Sequence, residues 1–255
     1  MKEFELLGEL ERRGLIVGVE HDAAQIEGLV VTQDTLVQGV HFRFDLLSWR
    51  ELGHRAAAVN LSDLAASGAD PIALIVSLAT PSLDHAVELY EGLNEAGVPI
   101  RGGDTTRADS VVLSVTAIGR AERVPGRAGA VPGDLLVVTG PLGAAGAAFR
   151  AGRLALPPLR LDAGRRLAAA AHAMLDISDG LGPDAGHIAE RSGCRLVIDL
   201  ERVPLAEGAT LADLEFGEDY ELLAATPDPL DFTVIGRCEE GSGVNVALGG
   251  WEHFG

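Results

Sequence analysis

The sequence predicts an α/β protein with mixed sheets, divided into two domains. Strand-length apolar runs alternate with longer amphipathic segments, which is typical of a mixed α/β layer. The 255 residues, 47% of them apolar, suffice for one large core or two smaller ones. Residues 120–134 interrupt the alternation with two prolines and three glycines. We therefore expect an N-terminal domain at 1–122 and a C-terminal domain at 123–255.

The first domain is predicted to contain three helices and four strands. A stripe of Phe4, Leu7 and Leu10 indicates an N-terminal helix that ends at Gly14. The pattern then predicts, in order, strand 28–32, helix 48–67, strand 72–80, helix 83–96 and strands 98–101 and 111–118. Gly68 and Pro71 end the longest of these helices, because neither residue favours its continuation.

The second domain is predicted to alternate in the same way. Its apolar runs indicate strands 135–139, 195–200, 220–226 and 232–237. Its amphipathic segments indicate helices 142–153, 159–172 and 180–191. The turn I-S-D-G-L opens the last of these helices.

Composition excludes several classes of function. The formal net charge of −18 repels nucleic acid and anionic membranes, so we expect neither as a partner. The apolar run 72–79 is too short to span a bilayer, and the acidic start of the chain is unlike a secretory signal. Cys194 and Cys238 have no C-x-x-C spacing, which indicates neither a zinc site nor a disulfide framework. A cytoplasmic location is expected.

Six aspartates in glycine-, serine- or threonine-bearing segments are candidate metal ligands: Asp22, Asp34, Asp63, Asp104, Asp176 and Asp179. Taken singly, each has an ordinary explanation, such as a helix N-cap for Asp179 or a turn for Asp104. Taken together, carboxylates from distant segments suit Mg²⁺ and, through it, phosphates. The only lysine is Lys2, so a conventional lysine-bearing phosphate loop is excluded.

Two of the aspartates have informative surroundings. Asn60, Asp63 and Ser67 are spaced to form one polar stripe on an otherwise apolar helix, which favours a ligand role for Asp63. Asp34 follows an apolar strand, so we expect it at a strand end, where α/β sheets present functional groups. The segment G-G-D-T-T is either a backbone cradle for phosphate or a plain turn. The segment P-G-D-L-L-V-V-T-G-P-L-G lacks G-x-G-x-x-G and G-K-[ST], so a structural role is favoured there.

In order along the chain, several motifs resemble thiamine-monophosphate kinase, a family related to aminoimidazole-ribonucleotide synthetase. They span residues 19–254: T-Q-D-T-L-V-Q-G-V-H-F, A-V-N-L-S-D-L-A-A-S-G-A-D-P, G-G-D-T-T-R, G-R-A-G-A-V-P-G-D, D-I-S-D-G-L, G-E-D-Y-E-L and W-E-H-F. The resemblance implies ATP-dependent phosphorylation of thiamine monophosphate. It also implies a two-domain synthetase-like fold whose N-terminal domain pairs in a homodimer.

The resemblance also implies roles for individual residues. It assigns several Mg²⁺ ions to the six aspartates and Thr32. It assigns ATP contacts to Tyr90, Gly103, Arg127 and Ser178, and thiamine phosphate contacts to His41, Glu218 and Trp251. This chain departs from the family pattern at E20-H21-D22, where the family usually has G-D-D, and at Gln33 and Gln38. Imidazole is a poor Mg²⁺ ligand beside carboxylate.

Because of these departures, alternatives stay open. The chain could be another ATP-using synthetase of the same superfamily, although the segments around His41 and Trp251 speak against this. It could also be a nucleotide- or thiamine-phosphate-binding protein that has lost turnover, as His21 and Gln33 suggest. A metal-dependent phosphatase is the weakest of the alternatives.

Overall fold

A computed structural model describes residues 3–17 and 21–251 of the chain. Lys2, Glu20 and residues 252–254 of the last motif lie outside this range. The first half contains the following elements: α1 (Glu3–Arg12), β1 (Ala24–Ile26), β2 (Leu29–Val37), α2 (Trp49–Ala66), β3 (Asp70–Thr80), α3 (Ala86–Asn94), β4 (Ile100–Arg107) and β5 (Val112–Arg120). The N-terminal helix, the strand after Gly28 and the long helix are thus confirmed.

The second half contains β6 (Leu135–Val138), α4 (Ala144–Arg150), α5 (Leu161–Ala168), β7 (Ala173–Asp176), α6 (Leu181–Ser192), β8 (Arg195–Ile198), β9 (Leu222–Thr226), β10 (Thr233–Glu239) and β11 (Gly243–Val244). Two short 3₁₀ helices, Leu200–Arg202 and Leu211–Glu215, lie between β8 and β9. The predicted helices 142–153 and 159–172 are therefore shorter than expected. The predicted α/β fold with mixed sheets is confirmed.

Two separate sheets define the architecture. The first has five strands in the order β1-β2-β5-β3-β4, and only the pair β3–β4 is parallel. The second has six strands in the order β11-β8-β10-β6-β9-β7. Residues on β5 alternate between buried and partly exposed, because one face of the first sheet packs on α2 while the other is uncovered.

The helix α2 begins with strong local signals and lies at the centre of the molecule. Ser48 caps its first turn and forms a capping box with Glu51, so two otherwise unpaired backbone N–H groups are satisfied. Gly53 meets α3 so closely that a Cβ atom there would overlap the carbonyl oxygen of Leu89. Gly68, with φ of 65°, follows the helix C-terminus in the left-handed conformation that glycine favours.

The same helix joins the two halves of the chain. Ala65 and Ala66 at its end form a buried apolar cluster with Leu167 and Met174 of the second half. Gly164 of α5 lies against the backbone of Ala65, where any side chain would overlap the carbonyl group. Among the polar residues of α2, Ser62 and Asp63 face the junction between the sheets, where they contact Asp176 and Thr32. None of the helices in the described ranges has both the length and the apolar character needed to cross a bilayer.

Two local expectations are wrong, and the strand β7 was missed. Asp34 lies in the middle of β2, not at a strand end, because β2 continues to Val37 in register with β5. The segment G-G-D-T-T is neither a turn nor a loop. It lies within β4, and a Cβ atom on Gly103, whose φ is 149°, would overlap the backbone of Val76 on β3. Finally, β7 was not predicted, because its run of four residues continues directly from an alanine-rich helix.

Candidate active site

Four of the predicted carboxylates come together at the junction of the two sheets. Asp22 precedes β1, Asp34 lies on β2, Asp63 on α2, and Asp176 ends β7. Hydroxyl groups hold the carboxylates of Asp63 and Asp176. The Thr32 hydroxyl donates to Asp63, and the Ser62 Oγ donates to the Asp176 Oδ2 at 2.5 Å. We refer to Asp22, Asp34, Asp63 and Asp176 as the carboxylate cluster.

The backbone beside the cluster is also fixed. The Asp34 amide donates to the Asn60 Oδ1 at 3.0 Å, and the Asn60 Nδ2 donates to the Ala56 carbonyl at 2.9 Å. Asn60 and Ser67 are buried, so the polar stripe on α2 does not face solvent. This arrangement supports the ligand interpretation of Asp63.

Burial and mutual repulsion raise the pKa values of the cluster. Burial, followed by the charge of Asp22, raises the pKa of Asp34 to about 6 and that of Asp176 to about 7. The pKa of Asp63 lies well above its usual value, first because of burial and then because of Asp34 and Asp176. Burial also raises the pKa of Asp22, although Arg127 opposes this effect. Buried like charges are costly unless a cation offsets them.

The donor set of the cluster suits a hard divalent cation. Its carboxylate and hydroxyl oxygens come from four separate segments, as in Mg²⁺ sites assembled by tertiary structure. Arg127 lies at one side, where its Nε and Nη2 donate to the same oxygen of Asp22 at 2.8 and 2.5 Å. Protein cations therefore compensate only part of the negative charge, and the residues present fit a metal ion.

The segment D-I-S-D-G-L forms the second wall of the junction. The backbone amides of Ser178, Asp179 and Gly180 all donate to one oxygen of Asp184, at 3.0, 3.0 and 3.1 Å. The N-cap of α6 is Gly180, so the alternative explanation of Asp179 as a helix cap is wrong. Ligand atoms of Asp179, Asp184 and His187 lie within 4.8 Å of one another.

A cavity of about 350 Å³ opens beside these walls. Its lining includes six of the predicted site residues: Asp34, His41, Ser178, Asp179, Glu218 and Trp251. The lining combines the acidic side chains of Asp34, Asp179 and Glu218 with apolar and aromatic side chains. The Val37 amide donates to the His41 Nδ1 at 3.0 Å, which places the imidazole proton on Nε2. The cavity lining thus includes two of the proposed metal residues, Asp34 and Asp179, and the three proposed substrate residues.

Three predicted residues lie away from the cluster. Asp104 and Gly103 are on β4, at the edge of the first sheet. Asp104 is paired in register with Ser77 of β3 and is exposed on the outer face of the sheet. Asp34 lies on the opposite face of the same sheet. Tyr90 lies on α3, which packs against α2 near Gly53. Gly53 precedes Asp63 by ten residues, or about 15 Å along α2. Within a single chain, these residues do not join the carboxylate cluster.

The structure also reveals residues in and beside the cavity that the sequence did not single out. Phe149 of α4 and Phe216 form an aromatic pair, with ring centroids 5.2 Å apart, and Tyr220 is a further aromatic residue of the lining. Arg55 of α2 is completely buried and ion-pairs with Glu218. An arginine on an alanine-rich, otherwise apolar face was the only signal that could have revealed Arg55.

His21 occupies the position where a carboxylate was expected. Its ring lies against Gly126, so closely that a Cβ atom on that glycine would overlap it. Its Nδ1 is buried and has no hydrogen-bond partner among the described residues. His21 therefore packs beside Arg127 and adds no carboxylate oxygen to the cluster.

Comparison with known proteins defines the class of this fold and site. The family model for the AIR synthase related protein, N-terminal domain, matches residues 20–121, and the model for the C-terminal domain matches residues 131–247. A solved structure described as "AaThiL complexed with AMPPCP and TMP" superimposes with a TM-score of 0.88 at 30% identity, over 99% of this chain and 97% of that one.

Two curated relatives are similar over most of their length. The thiamine-monophosphate kinase of Aquifex aeolicus (strain VF5) is 33% identical over 89% of this chain and 88% of its own. The thiamine-monophosphate kinase of Escherichia coli (strain K12) is 34% identical over 93% and 92%. The chain belongs to the thiamine-monophosphate kinase family, as its ordered motifs predicted.

Proposed function

We propose that this chain transfers the γ-phosphoryl group of ATP to thiamine monophosphate, yielding thiamine diphosphate. The observation that carries the proposal is the cavity in which Asp34 and Asp179 lie beside His41, Glu218 and Trp251. Carboxylates in the lining suit metal-bound phosphates, and its aromatic side chains suit an organic cation. The matched structure holds AMPPCP, an ATP analogue, together with TMP, which supports both substrates.

Mg²⁺ would be held by the carboxylate cluster together with Thr32 and Asp179. When bound, it would offset the repulsion between two anionic substrates and align the phosphates. The acceptor is a phosphate oxygen that is already deprotonated at neutral pH, so no general base is required. Asp104 remains a proposed ligand, although within a single chain it lies on the outer sheet face, away from the carboxylate cluster.

The side chains of the cavity supply binding and charge stabilisation. Arg127, fixed by Asp22, would stabilise negative charge on the transferred group. Ser178 would contact the nucleotide. Glu218 and the exposed indole of Trp251 would hold the cationic ring of the acceptor, the latter by a cation–π contact of roughly 0.5–2 kcal/mol. His41 would donate from Nε2 to its phosphate.

A homodimer through the outer face of the first sheet is part of the proposal. This face exposes Ile72 and Ile75 of β3, and β2 of the same sheet adds the uncharged, exposed Gln33 and Thr35. Uncovered apolar sheet faces favour association. Asp104 lies on this face, so pairing of two copies would bring it towards a second chain.

The domain limits and the location also remain proposals. Separate sheets formed by residues before 121 and after 134 support domains at 1–122 and 123–255. Cys194 and Cys238 are both free thiols and buried, which supports a reducing, cytoplasmic location.

Product formation with purified protein tests the function. With Mg²⁺, ATP and thiamine monophosphate we expect thiamine diphosphate in amounts equal to the ADP released, and no product when thiamine monophosphate is omitted. Asp34→Asn should abolish turnover. Tight binding of both substrates by calorimetry without any product would contradict the kinase function and support a binding protein instead.

The role of Asp104 is tested separately. Asp104→Asn should remove Mg²⁺-dependent turnover while leaving the circular dichroism spectrum and the unfolding midpoint unchanged, because the side chain is exposed on a sheet edge. The neighbouring exposed Asp109→Asn is the matched control and should remain active. Unchanged turnover of Asp104→Asn would remove Asp104 from the site.

A further inference from the structure

The turn that carries Glu218 has an unusual backbone. Glu218 and Tyr220 adopt positive φ values of 58° and 51°, in a region that residues other than glycine rarely occupy. Such conformations persist only where surrounding contacts impose them, and they concentrate at functional sites. Both side chains line the cavity.

Backbone contacts hold one side of this turn. The Glu218 amide donates to the Ser178 carbonyl at 2.7 Å, and the Tyr220 amide donates to the Ile177 carbonyl at 2.9 Å. Gly217 lies so close to this segment that a Cβ atom would overlap the Ser178 carbonyl. The turn is thereby fixed to the metal-binding segment D-I-S-D-G-L.

Buried carboxylates anchor the other side of the turn. Asp219 accepts hydrogen bonds from the amides of Gly143 and Ala145, at 2.7 and 3.3 Å, at the start of α4. Glu221 accepts from the Thr139 hydroxyl and from the Arg160 Nε, both at 2.6 Å. Each acidic residue of G-E-D-Y-E thus has a specific partner, and the partner of Glu218 is Arg55.

Arg55 reaches this turn from the other half of the molecule. It lies on α2, its residue is 0% exposed, and its Nη2 forms an ion pair with Glu218. Its Nη1 donates to the Ala155 carbonyl at 2.8 Å. Its Nε is buried and has no hydrogen-bond partner among the described residues. A buried guanidinium is costly unless its geometry is well satisfied, so its presence on an alanine-rich helix calls for a role beyond packing.

We infer that Arg55 is a positioning residue for the proposed acceptor site, acting through Glu218. Its planar fork binds the Ala155 carbonyl with one nitrogen and the Glu218 carboxylate with the other. It therefore holds that carboxylate in the lining of the cavity, where the cationic acceptor would meet it. A lysine has the same charge but no fork, so it cannot serve both acceptors in this geometry. The inference rests on the proposed function, since it concerns the acceptor rather than the nucleotide.

A purely structural role for Arg55 makes different predictions. If Arg55 only joined the two halves of the chain, its substitution would lower stability and affect nucleotide and acceptor binding alike. If Arg55 acts only by positioning Glu218, its substitution weakens binding of the acceptor alone. The same substitution then has no further effect when Glu218 has already been replaced by a neutral residue. A double-mutant cycle separates the two roles.

The test uses the full chain and measures binding of thiamine monophosphate and of AMPPCP by calorimetry, with Mg²⁺ present. The variants are Arg55→Lys, Glu218→Gln and the double variant. We expect Arg55→Lys to weaken acceptor binding about tenfold, as the loss of a charged hydrogen bond would, with AMPPCP binding unchanged. The double variant should bind no more weakly than Glu218→Gln alone. In turnover, KM for the acceptor should rise more than kcat falls.

Arg50→Met is the matched control. Arg50 lies on the same helix but at the surface, where it pairs with Glu91 and Glu95. The Arg50→Met variant should bind both thiamine monophosphate and AMPPCP as tightly as the unmodified chain does. Equal losses for both ligands, or additive losses in the double variant, would overturn the positioning role. If the unmodified chain binds AMPPCP but no thiamine monophosphate, the proposed function itself fails, and the positioning role with it.

Discussion

Replacing Asp34 by asparagine is expected to stabilise the metal-free protein while weakening its interaction with Mg²⁺. The substitution removes one charge from the carboxylate cluster but keeps an oxygen that can accept the hydrogen bond from Asp63. Burial and the charge of Asp22 raise the pKa of Asp34 from 3.8 to about 6. At about 1.4 kcal/mol per pH unit, the ionised carboxylate costs about 3 kcal/mol. Because the Asp34 side chain lines the cavity, where solvent screens its charge, we expect a cost of roughly 1–3 kcal/mol.

The sign of the pH dependence follows from the raised pKa. The protonated carboxyl contributes stability that is fully present below pH 3.8 and is lost as the pH rises through about 6. The asparagine variant has no such loss. The difference in unfolding midpoint between Asp34→Asn and the unmodified chain should therefore be smallest near pH 4 and largest above pH 7. For a chain of this length, about 2–4 °C per kcal/mol corresponds to several degrees.

Thermal unfolding at pH 4.5 and pH 8, with and without Mg²⁺, measures both effects. At saturating Mg²⁺ the unmodified chain should gain about 2.7 kcal/mol when the free ion exceeds its dissociation constant a hundredfold. Asp34→Asn should gain less. The control is Asp45→Asn, which alters an exposed pair with Arg43 and should show no increase in midpoint. A lower midpoint for Asp34→Asn at pH 8 without metal, or a difference independent of pH, would refute the reasoning.

Three further predictions concern stability. Gly53→Ala should lower the unfolding free energy by more than about 2 kcal/mol, because the new methyl group overlaps the backbone of α3. Gly186→Ala, in open space on α6, should instead raise the unfolding free energy by about 0.5–1 kcal/mol. Equal effects of the two substitutions in denaturant titrations would contradict the close contact between α2 and α3. Ser48→Ala should cost about 1 kcal/mol by removing the cap of α2, and an unchanged midpoint would argue against the capping box. Arg160→Met should cost about 3 kcal/mol because it removes the ion-pair partner of the buried Glu221 carboxylate, and an unchanged unfolding free energy in denaturant titrations would contradict this.

Local sequence signals predicted most elements of the fold. Ser48 and Gly68 bound α2 because capping and left-handed turns depend on a few neighbouring residues. The extent of β2 was underestimated, because Asp34 is unfavourable in a strand unless tertiary partners compensate it. Likewise, the two glycines before Asp104 indicated a turn, but they lie in β4, where close approach to β3 requires Gly103.

The sequence by itself determined the residue types of the site and the family to which they belong. Motif order established Asp22, Asp34, Asp63 and Asp176 as candidate ligands, since it depends only on the linear chain. Their convergence was decided by the tertiary structure, because β2, α2 and β7 meet only when two sheets pack on one helix.

Other features could be known only from the three-dimensional arrangement. The pKa values of the cluster depend on burial and on charges that are distant in sequence. The ion pair between Arg55 and Glu218 joins residues 163 positions apart. The outward position of Asp104 follows from strand register, which a one-residue slip would reverse. Long-range packing sets these properties, and no local pattern encodes them.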